Sequence, residues 1–487
     1  MKVLQNILYK VRLKAVHGSL DLNVSGIEFD SRAVKRGTVF VALKGEKVDG
    51  HDYISQAIEK GAVAILAEKP NVYISSEITY IEVQDSHEAL AYLAANFYDN
   101  PSREIELVGI TGTNGKTTTT TLLHDVFMDL GHMAGLISTV VNKIGNEKVP
   151  ATHTTPNPIA LNALLREMVD AGCGYCFMEV SSHAIVQRRI AGLEFDLACF
   201  TNISHDHLDY HKTFKEYIYA KKKFFDDLGS TAVAIVNADD VNGSVMVQNS
   251  KATVKTMALK KMADYKVKII ENSFSGLVLN MDQHELWTHL IGGFNAYNLL
   301  MVYAVSMELK QDQMEVLQSI SKLKSVEGRF EHYKSNTGVV AIVDYAHTPD
   351  ALKNVLSTIQ SVRTRNEQVI TLVGCGGDRD RQKRPVMAEI AARMSDRVIL
   401  TSDNPRTEEP QAIIDEMKTG VPAERSANVM SITSREEAIK VASTLANPGD
   451  IILIAGKGHE NYQEINGERF PFDDFEIVQE TLKNLNK

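Results

Sequence analysis

Hydrophobic residues in this chain gather in short runs, each closed by glycine, hydroxyl or charged residues and followed by a helix-sized interval. Up to residue 98 the strand-like runs are "GIEFDSR", "GTVFVAL" and "AVAILAE", with "DYISQAIEKG" and "SHEALAYLAANFYD" patterned as helices. The polar "DNPSREIE" reads as a linker. Beyond it "IELVGIT", "GYCFMEV", "LACFTNI" and "AVAIVNAD" alternate with helical stretches, which predicts a mostly parallel sheet covered on both faces. The same logic returns in "GVVAIVDYA", "QVITLVGCGG", "DRVILTSD" and "DIILIAGKG", each ending in a glycine-rich or charged loop. Ligands of open α/β sheets bind beyond the carboxyl ends of strands, so those loops are binding positions. The expected fold is α/β in three domains, residues 1–98, 99–332 and 333–487.

A length of 487 residues agrees with that division, being too great for one ordinary core. Hydrophobic content of 44% and charged content of 23% fit a globular enzyme, and the net charge of −10 disfavours a nucleic-acid surface without excluding small anions. No apolar run is long enough to cross a membrane, and the opening "MKVLQNILYKVRLKAVHG" lacks a signal peptide's uninterrupted core. A cytoplasmic monomer without membrane insertion is therefore expected. Cys173, Cys176, Cys199 and Cys375 are too sparse for a disulfide framework and are expected as packed free thiols.

The strongest local signal is "GTNGKTTT" at residues 112–119, between an apolar strand and a helix predicted to be amphipathic. Gly112, Gly115 and the intervening amides can wrap phosphate oxygens, Lys116 can reach the β and γ phosphates, and the Thr117 hydroxyl can meet magnesium. The spacing is shorter than the common nucleotide-loop pattern, whose first glycine would match Gly109 only with a one-residue shift. ATP or GTP is the implied ligand. Glu179 ends a strand of the same sheet, where a carboxylate can hold magnesium or stay solvated. Ser181, Ser182, Gln187 and Arg189 form a donor set suited to an anionic or sugar-bearing substrate, with Arg188 expected to face elsewhere. In "SHDHLDYH" the alternating His205, His207, Asp209 and His211 invite a metal reading, but one histidine serving a phosphate-bound magnesium is more economical. Lys221 lies downstream on a helical pattern. As an ammonium it would repel that magnesium and would need an anionic partner or conversion to a carbamate.

Together with "GGFNAYN", "VEGRFE", "DYAHTPDAL", "GCGGDRDRQKRP", "DNPRTEEP" and "AGKGHE", these segments closely resemble the Mur ligases of peptidoglycan synthesis, over nearly the whole chain and in family order. The resemblance implies an N-terminal UDP-binding domain, a central P-loop ATPase-like domain with a parallel sheet, and a C-terminal Rossmann-like domain that binds the incoming amino acid. It implies an ATP- and Mg2+-dependent peptide synthase of cell-wall biogenesis acting on UDP-N-acetylmuramoyl-L-alanyl-D-glutamate. Ser31 of "FDSR" matches the uridine-contacting motif, and Thr154 and Thr155 of "HTTPNP", with Ser181, Gln187 and Arg189, match contacts to the nucleotide sugar. ATP contacts are implied for Gly112, Thr113, Asn114, Gly115, Lys116, Thr117, Thr118, Asn295, Asn298, Arg329 and Asp344. The metal set is implied as Thr117, Glu179, His207 and a carbamylated Lys221, with Lys116, Lys221 and His207 as the catalytic group. Arg379, Asp403, Asn404, Pro405, Arg406, Gly456 and Glu460 match the amino-acid site.

Which amino acid is added turns on "DNPR". L-lysine ends in a simple ammonium, whereas meso-2,6-diaminopimelate carries a second carboxylate that a planar guanidinium recognises with two donors. Arg406 on a proline-restricted turn suits the latter, with Glu460 facing an ammonium, Arg379 another carboxylate, and Asp403 and Asn404 sharing the amine's hydrogen bonds. Ligation of L-lysine and folylpolyglutamate synthesis are the alternatives within the enzyme class. A P-loop motor or transporter would need a polymer tract or membrane segments, and a nucleotide-regulated binding protein would leave "GCGGDRD" and "DNPR" unexplained.

Overall fold

The computed structural model describes residues 1–487 apart from 46–47, 70–76, 152, 205 and 207. They gather into two compact units. One holds Met1–Gly112, Thr119–Asn202 and Asp209–Thr256, and the other Thr113–Thr118, Ile203–Leu208 and Met257–Lys487.

In the first unit the N-terminal sheet runs in the order Leu13–His17, Thr79–Val83, Ala62–Ala67, Thr38–Val41, Gly26–Glu28, antiparallel at the first pairing and parallel thereafter. Side chains alternate between its faces. Val39, Val41, Ala64, Leu66, Ile81 and Val83 pack with Leu90 and Leu93 of helix Ser86–Phe97, while Phe40, Ile65 and Ala67 pack with Ile54 and Ala57 of helix Ile54–Glu59. Burial on both faces explains why these strands read as continuous apolar runs.

The second sheet of this unit has the parallel order Ala134–Ile137, Tyr175–Glu179, Glu106–Thr111, Leu197–Phe200, Val233–Asn237, with the antiparallel strands Asn142–Ile144 and Glu147–Val149 beyond Ala134–Ile137. All four strands expected from the sequence are present. The register sets Glu179 beside Ile110 and Phe200 beside Thr111, so the functional loops leave neighbouring carboxyl ends. Helix Lys116–Asp129 departs from the amphipathic expectation: Thr117 to Thr120, Leu122, Leu123, His124, Val126 and Phe127 are all buried. Five consecutive short threonines, four of them buried, disguise a helix enclosed on most sides as a polar one. The four cysteines are buried and unpaired, as expected.

The second unit contains an antiparallel meander, Tyr265–Ser273, Gly276–Met281 and His284–Thr288, followed by helices Gly293–Glu308 and Gln313–Lys322. The sequence did not announce the meander, because its strands mix polar and apolar positions without a continuous run. A six-stranded sheet follows in the order Glu331–Lys334, Val340–Asp344, Ile451–Ala455, Val369–Val373, Arg397–Leu400, Val429–Ser431, parallel except for the first pairing. Helices Pro349–Val362, Lys383–Met394 and Pro410–Lys418 cover one face, and Arg435–Leu445 and Asp474–Asn484 the other. This is the doubly wound arrangement expected from the four apolar runs. The expected division after residue 332 falls inside strand Glu331–Lys334, which pairs from Glu331 with Val343 to Lys334 with Val340. Among the described residues no helix is long and apolar enough to cross a membrane.

Candidate active site

In the first unit, Glu179 lies buried at the carboxyl end of its strand. Its Oε1 accepts the Thr139 N–H at 2.7 Å, while Oε2 is buried and has no hydrogen-bond partner. A buried carboxylate oxygen left unsatisfied costs free energy unless a cation meets it. The donor set gathers around this strand end. The Thr155 hydroxyl donates to the Glu179 carbonyl at 2.7 Å and accepts the Ser181 N–H at 3.2 Å, and Thr139 donates to the Thr154 hydroxyl at 3.0 Å. Ser181 caps helix Ser182–Val186 by accepting the Ala184 N–H.

Arg189 donates to the Thr155 carbonyl at 2.7 Å and, through two nitrogens, to Gln187 Oε1 at 3.0 and 2.7 Å. Those partners are neutral, and burial pulls the guanidinium below its ordinary range. An anionic ligand here would supply the missing counter-charge. Arg188 faces elsewhere as expected, with its Nε 3.8 Å from Asp85. Ser31 is buried in the N-terminal domain and donates to Gln56 Oε1 at 2.6 Å; among the described residues no hydrogen bond joins it to the Thr155–Arg189 network.

Lys221 is buried on helix Phe214–Asp226, its Nζ donating to the Gly112 carbonyl at 2.8 Å and lying 4.7 Å from the centre of the Tyr217 ring. Gly112 tolerates no side chain: a Cβ would sit 2.0 Å from Thr201 Oγ1. His205 and the expected ligand His207 lie outside the described residues. His211 is buried, with Nε2 2.9 Å from the Ser182 hydroxyl, which assigns it a bracing role. Among the described residues no cluster of three or more His, Cys, Asp or Glu could hold a metal by itself. Magnesium brought in by nucleotide phosphates needs only one or two protein carboxylates.

In the second unit, Lys116 opens its helix and bonds to the Thr113 carbonyl at 2.8 Å, while Thr113 Oγ1 accepts the Ser204 N–H at 3.0 Å. Asn114 and Gly115 complete the loop and Thr118 follows Thr117 within the helix. Arg329 donates to the Thr117 hydroxyl at 3.2 Å, rests 4.8 Å over the Tyr345 ring, and keeps a buried Nε without a partner. Asp344, half-buried at its strand end, accepts the Phe330 N–H at 2.7 Å, and its withdrawal from water pushes its carboxyl up to about 6. Asn295 and Asn298 are buried and bonded to each other at 3.0 Å, with the Asn295 amide also donating to the Ile291 carbonyl at 2.8 Å.

The loops after Val369–Val373, Arg397–Leu400 and Ile451–Ala455 interlock. Gly377 N–H donates to the Asn404 carbonyl at 2.9 Å, and Arg406 returns a bond from Nη1 to the Gly377 carbonyl at 2.7 Å. Arg406 has a left-handed backbone (φ 52°), and its Nε is 3.6 Å from Glu464 Oε2. "DNPR" is not the solvated turn that its composition suggests. Asp403, Asn404 and Pro405 are buried, and Asn404 is committed internally: Nδ2 donates to Glu460 Oε2 at 2.7 Å, and Oδ1 accepts Lys457 Nζ at 3.0 Å and Glu464 N–H at 2.9 Å. Asn404 thus sets its neighbours, while Arg406 and Glu460 keep partly exposed side chains and Arg379 is exposed. Gly456 has no room for a side chain, since a Cβ would lie 2.6 Å from Asp403 Oδ2.

Residue patterns missed the buried charges beneath these loops. Arg384 donates to both Glu408 oxygens at 2.8 and 2.9 Å and to Glu416 at 2.8 Å, and the fully buried Arg435 pairs with Asp474 at 2.7 and 2.8 Å while reaching the Ala455 carbonyl at 3.1 Å. Charged residues are rarely fully buried, so sequence alone places them on the surface. Arg384 has one signal, its place after a glycine-rich strand end, and Arg435 lacks even that.

Comparison with known proteins extends this picture. Residues 23–98 match the model described as Mur ligase family, catalytic domain, residues 110–306 the Mur ligase middle domain, and residues 328–458 the Mur ligase glutamate ligase domain. Over 485 residues the chain is 55% identical to the UDP-N-acetylmuramoyl-L-alanyl-D-glutamate--2,6-diaminopimelate ligase of Cytophaga hutchinsonii, covering 99% of this chain and 100% of that one. The enzyme of the same name from Bacteroides fragilis is 51% identical over 98% of each chain. A solved structure of a ligase of that name superposes with a TM-score of 0.71 at 30% identity, covering 100% of this chain and 99% of the other.

Proposed function

Because this chain belongs to the Mur ligase family, we infer that it joins meso-2,6-diaminopimelate to UDP-N-acetylmuramoyl-L-alanyl-D-glutamate at the expense of ATP, releasing the UDP-MurNAc tripeptide, ADP and phosphate. A carboxylate does not condense with an amine at neutral pH, because its oxygen is a poor leaving group. The D-glutamyl carboxylate attacks the γ phosphorus of ATP, the bond to ADP breaks, and an acyl phosphate forms. The α-amine then attacks the acyl carbon, loses a proton, and phosphate departs.

The chain's own contribution is positioning and charge. Lys116 and the amides of the 112–118 loop suit the phosphates, and the Arg329 guanidinium, with its unpartnered Nε, suits a further phosphate oxygen. Arg189, lacking an acidic partner, suits an anionic part of the nucleotide-sugar peptide, alongside Thr154, Thr155, Ser181 and Gln187. Ser31 is proposed for the uridine end. Magnesium, when bound, neutralises charge on the transferring phosphoryl group. The orphaned Oε2 of Glu179 fits it as a ligand. A carbamate on Lys221 would keep one N–H for the Gly112 carbonyl while turning a repelling cation into an anion.

The observation that carries the choice of amino acid is the pairing of Arg406 with Gly377 and of Glu460 with Asn404 in one interlocked loop cluster, presenting a guanidinium and a carboxylate to a zwitterionic side chain. ATP turnover should require both the nucleotide-sugar dipeptide and meso-diaminopimelate, with L-lysine a poor substitute. Arg406→Ala should lose about 2 to 5 kcal/mol of discrimination. Equal phosphate release without the dipeptide would refute the ligase, and preference for L-lysine would refute the specificity alone.

A further inference from the structure

Lys457 stands between the glycine and the glutamate proposed for the amino-acid pocket, yet its side chain is fully buried. Its Nζ is 3.0 Å from Asn404 Oδ1, 3.3 Å from Glu460 Oε2 and 5.5 Å from the Tyr462 ring centre. The Asn404 amide also donates to Oε2 of Glu460, at 2.7 Å. Both hydrogen bonds to Glu460 among the described residues therefore fall on one carboxylate edge, and the Oε1 edge is left to face a ligand.

Asp403 faces Glu460 as a like charge, and Lys457 and the buried Arg435 as opposite ones. The remaining cations nearby are engaged elsewhere: Arg329 lies 4.8 Å over Tyr345, Arg469 4.3 Å over Tyr462, and Arg406 3.6 Å from Glu464. Burial and the Asp403 charge both push the Glu460 carboxyl up, while Lys457 and the Asn404 amide work against that shift. Without Lys457 the same pocket would tend to protonate and lose its preference for a cation.

We propose that Lys457 is a positioning residue for amino-acid binding: it clamps the inner edge of Glu460 with Asn404 and leaves the outer edge as an anion for an ammonium of the incoming amino acid. This rests on the ligase reading above, from which its test is separable. Acyl phosphate formation from ATP and the nucleotide-sugar dipeptide needs no amino acid and is trapped by hydroxylamine as a hydroxamate. Absence of hydroxamate with the parent enzyme would defeat the ligase reading itself.

Given a hydroxamate-forming parent, Lys457→Met should form hydroxamate within about twofold of the parent rate while its KM for meso-diaminopimelate rises at least about tenfold. The acidic limb of the pH profile for 1/KM should also move to higher pH. In a Glu460→Gln background the same substitution should add less than about threefold, since it acts through Glu460. Lys457→Gln, which keeps a donor to Asn404 without the charge, serves in its place should the methionine variant not fold, and is read by the same criteria. An unchanged KM, a parallel fall in hydroxamate formation, or independent effects of the two substitutions would overturn the proposal.

Discussion

A carboxyl group partly withdrawn from water at a strand end prefers to keep its proton, and Asp344 does so up to about pH 6. Its folded-state value lies above the ordinary one, so the native chain binds a proton more tightly than the unfolded chain. This group's contribution to stability therefore falls as pH rises through the window from about 4 to about 6. Asp344→Asn keeps an acceptor for the Phe330 N–H and removes the titration. In urea unfolding, the stability of the variant relative to the parent should improve across that window and level off above it. The slope is bounded at about 1.4 kcal/mol per pH unit, and a pH-independent difference would contradict it. At this scale the sequence exposes some residues and hides others. Arg406 and Glu460 stand out because proline, glycine and charge coincide at strand ends, and their part in binding is a proposal. The internal bonding of Asn404 was not legible, because only the folded chain brings Glu460 Oε2 and Lys457 Nζ onto its one amide. His207 remains a proposal drawn from its motif.

Elements were read more reliably than their seams. Strands buried on both faces declare themselves as apolar runs, whereas the meander of residues 265–288 and the threonine-rich start of helix Lys116–Asp129 carry no such pattern. The loops at 374–380 and 403–409 illustrate a seam. Besides the Gly377–Asn404 and Arg406–Gly377 bonds, the Asp378 N–H donates to Glu408 and the Thr407 hydroxyl to Asp378. Arg384, at the start of helix Lys383–Met394, locks Glu408 and Glu416 and holds the Glu408 carboxyl down to about 2. Replacing Arg384 with methionine leaves those carboxylates without their buried cation. The variant should be less stable at pH 7 through loss of the Arg384–Glu408 pair, by about 1 to 2 kcal/mol because Glu408 is partly solvated. Because the depressed Glu408 value stabilises above its ordinary range and fades as pH falls toward 2, the deficit should shrink in acid. A deficit that stays constant from pH 7 to pH 3 would remove Glu408 from the explanation.

For the whole molecule, the three-part organisation was legible in the repeated run-and-loop pattern, but a boundary at 332/333 would divide a paired strand. Phe330 belongs to the core under strand Val340–Asp344, and Glu331–Lys334 edges that sheet. A fragment of residues 328–487 should therefore unfold cooperatively, and one of residues 333–487 at a lower midpoint, by thermal circular dichroism. Equal midpoints would mean that the edge strand contributes nothing to this domain. The same sheet also carries Arg379, Asp403 to Arg406 and Gly456 to Glu460 on the ends of three adjacent strands, within less than a hundred consecutive residues. For inheritance this makes the cluster a single parcel: one genetic exchange upstream of residue 328 would pass all of these side chains, with Lys457, Arg384 and Arg435 beneath them, to a descendant as an intact set.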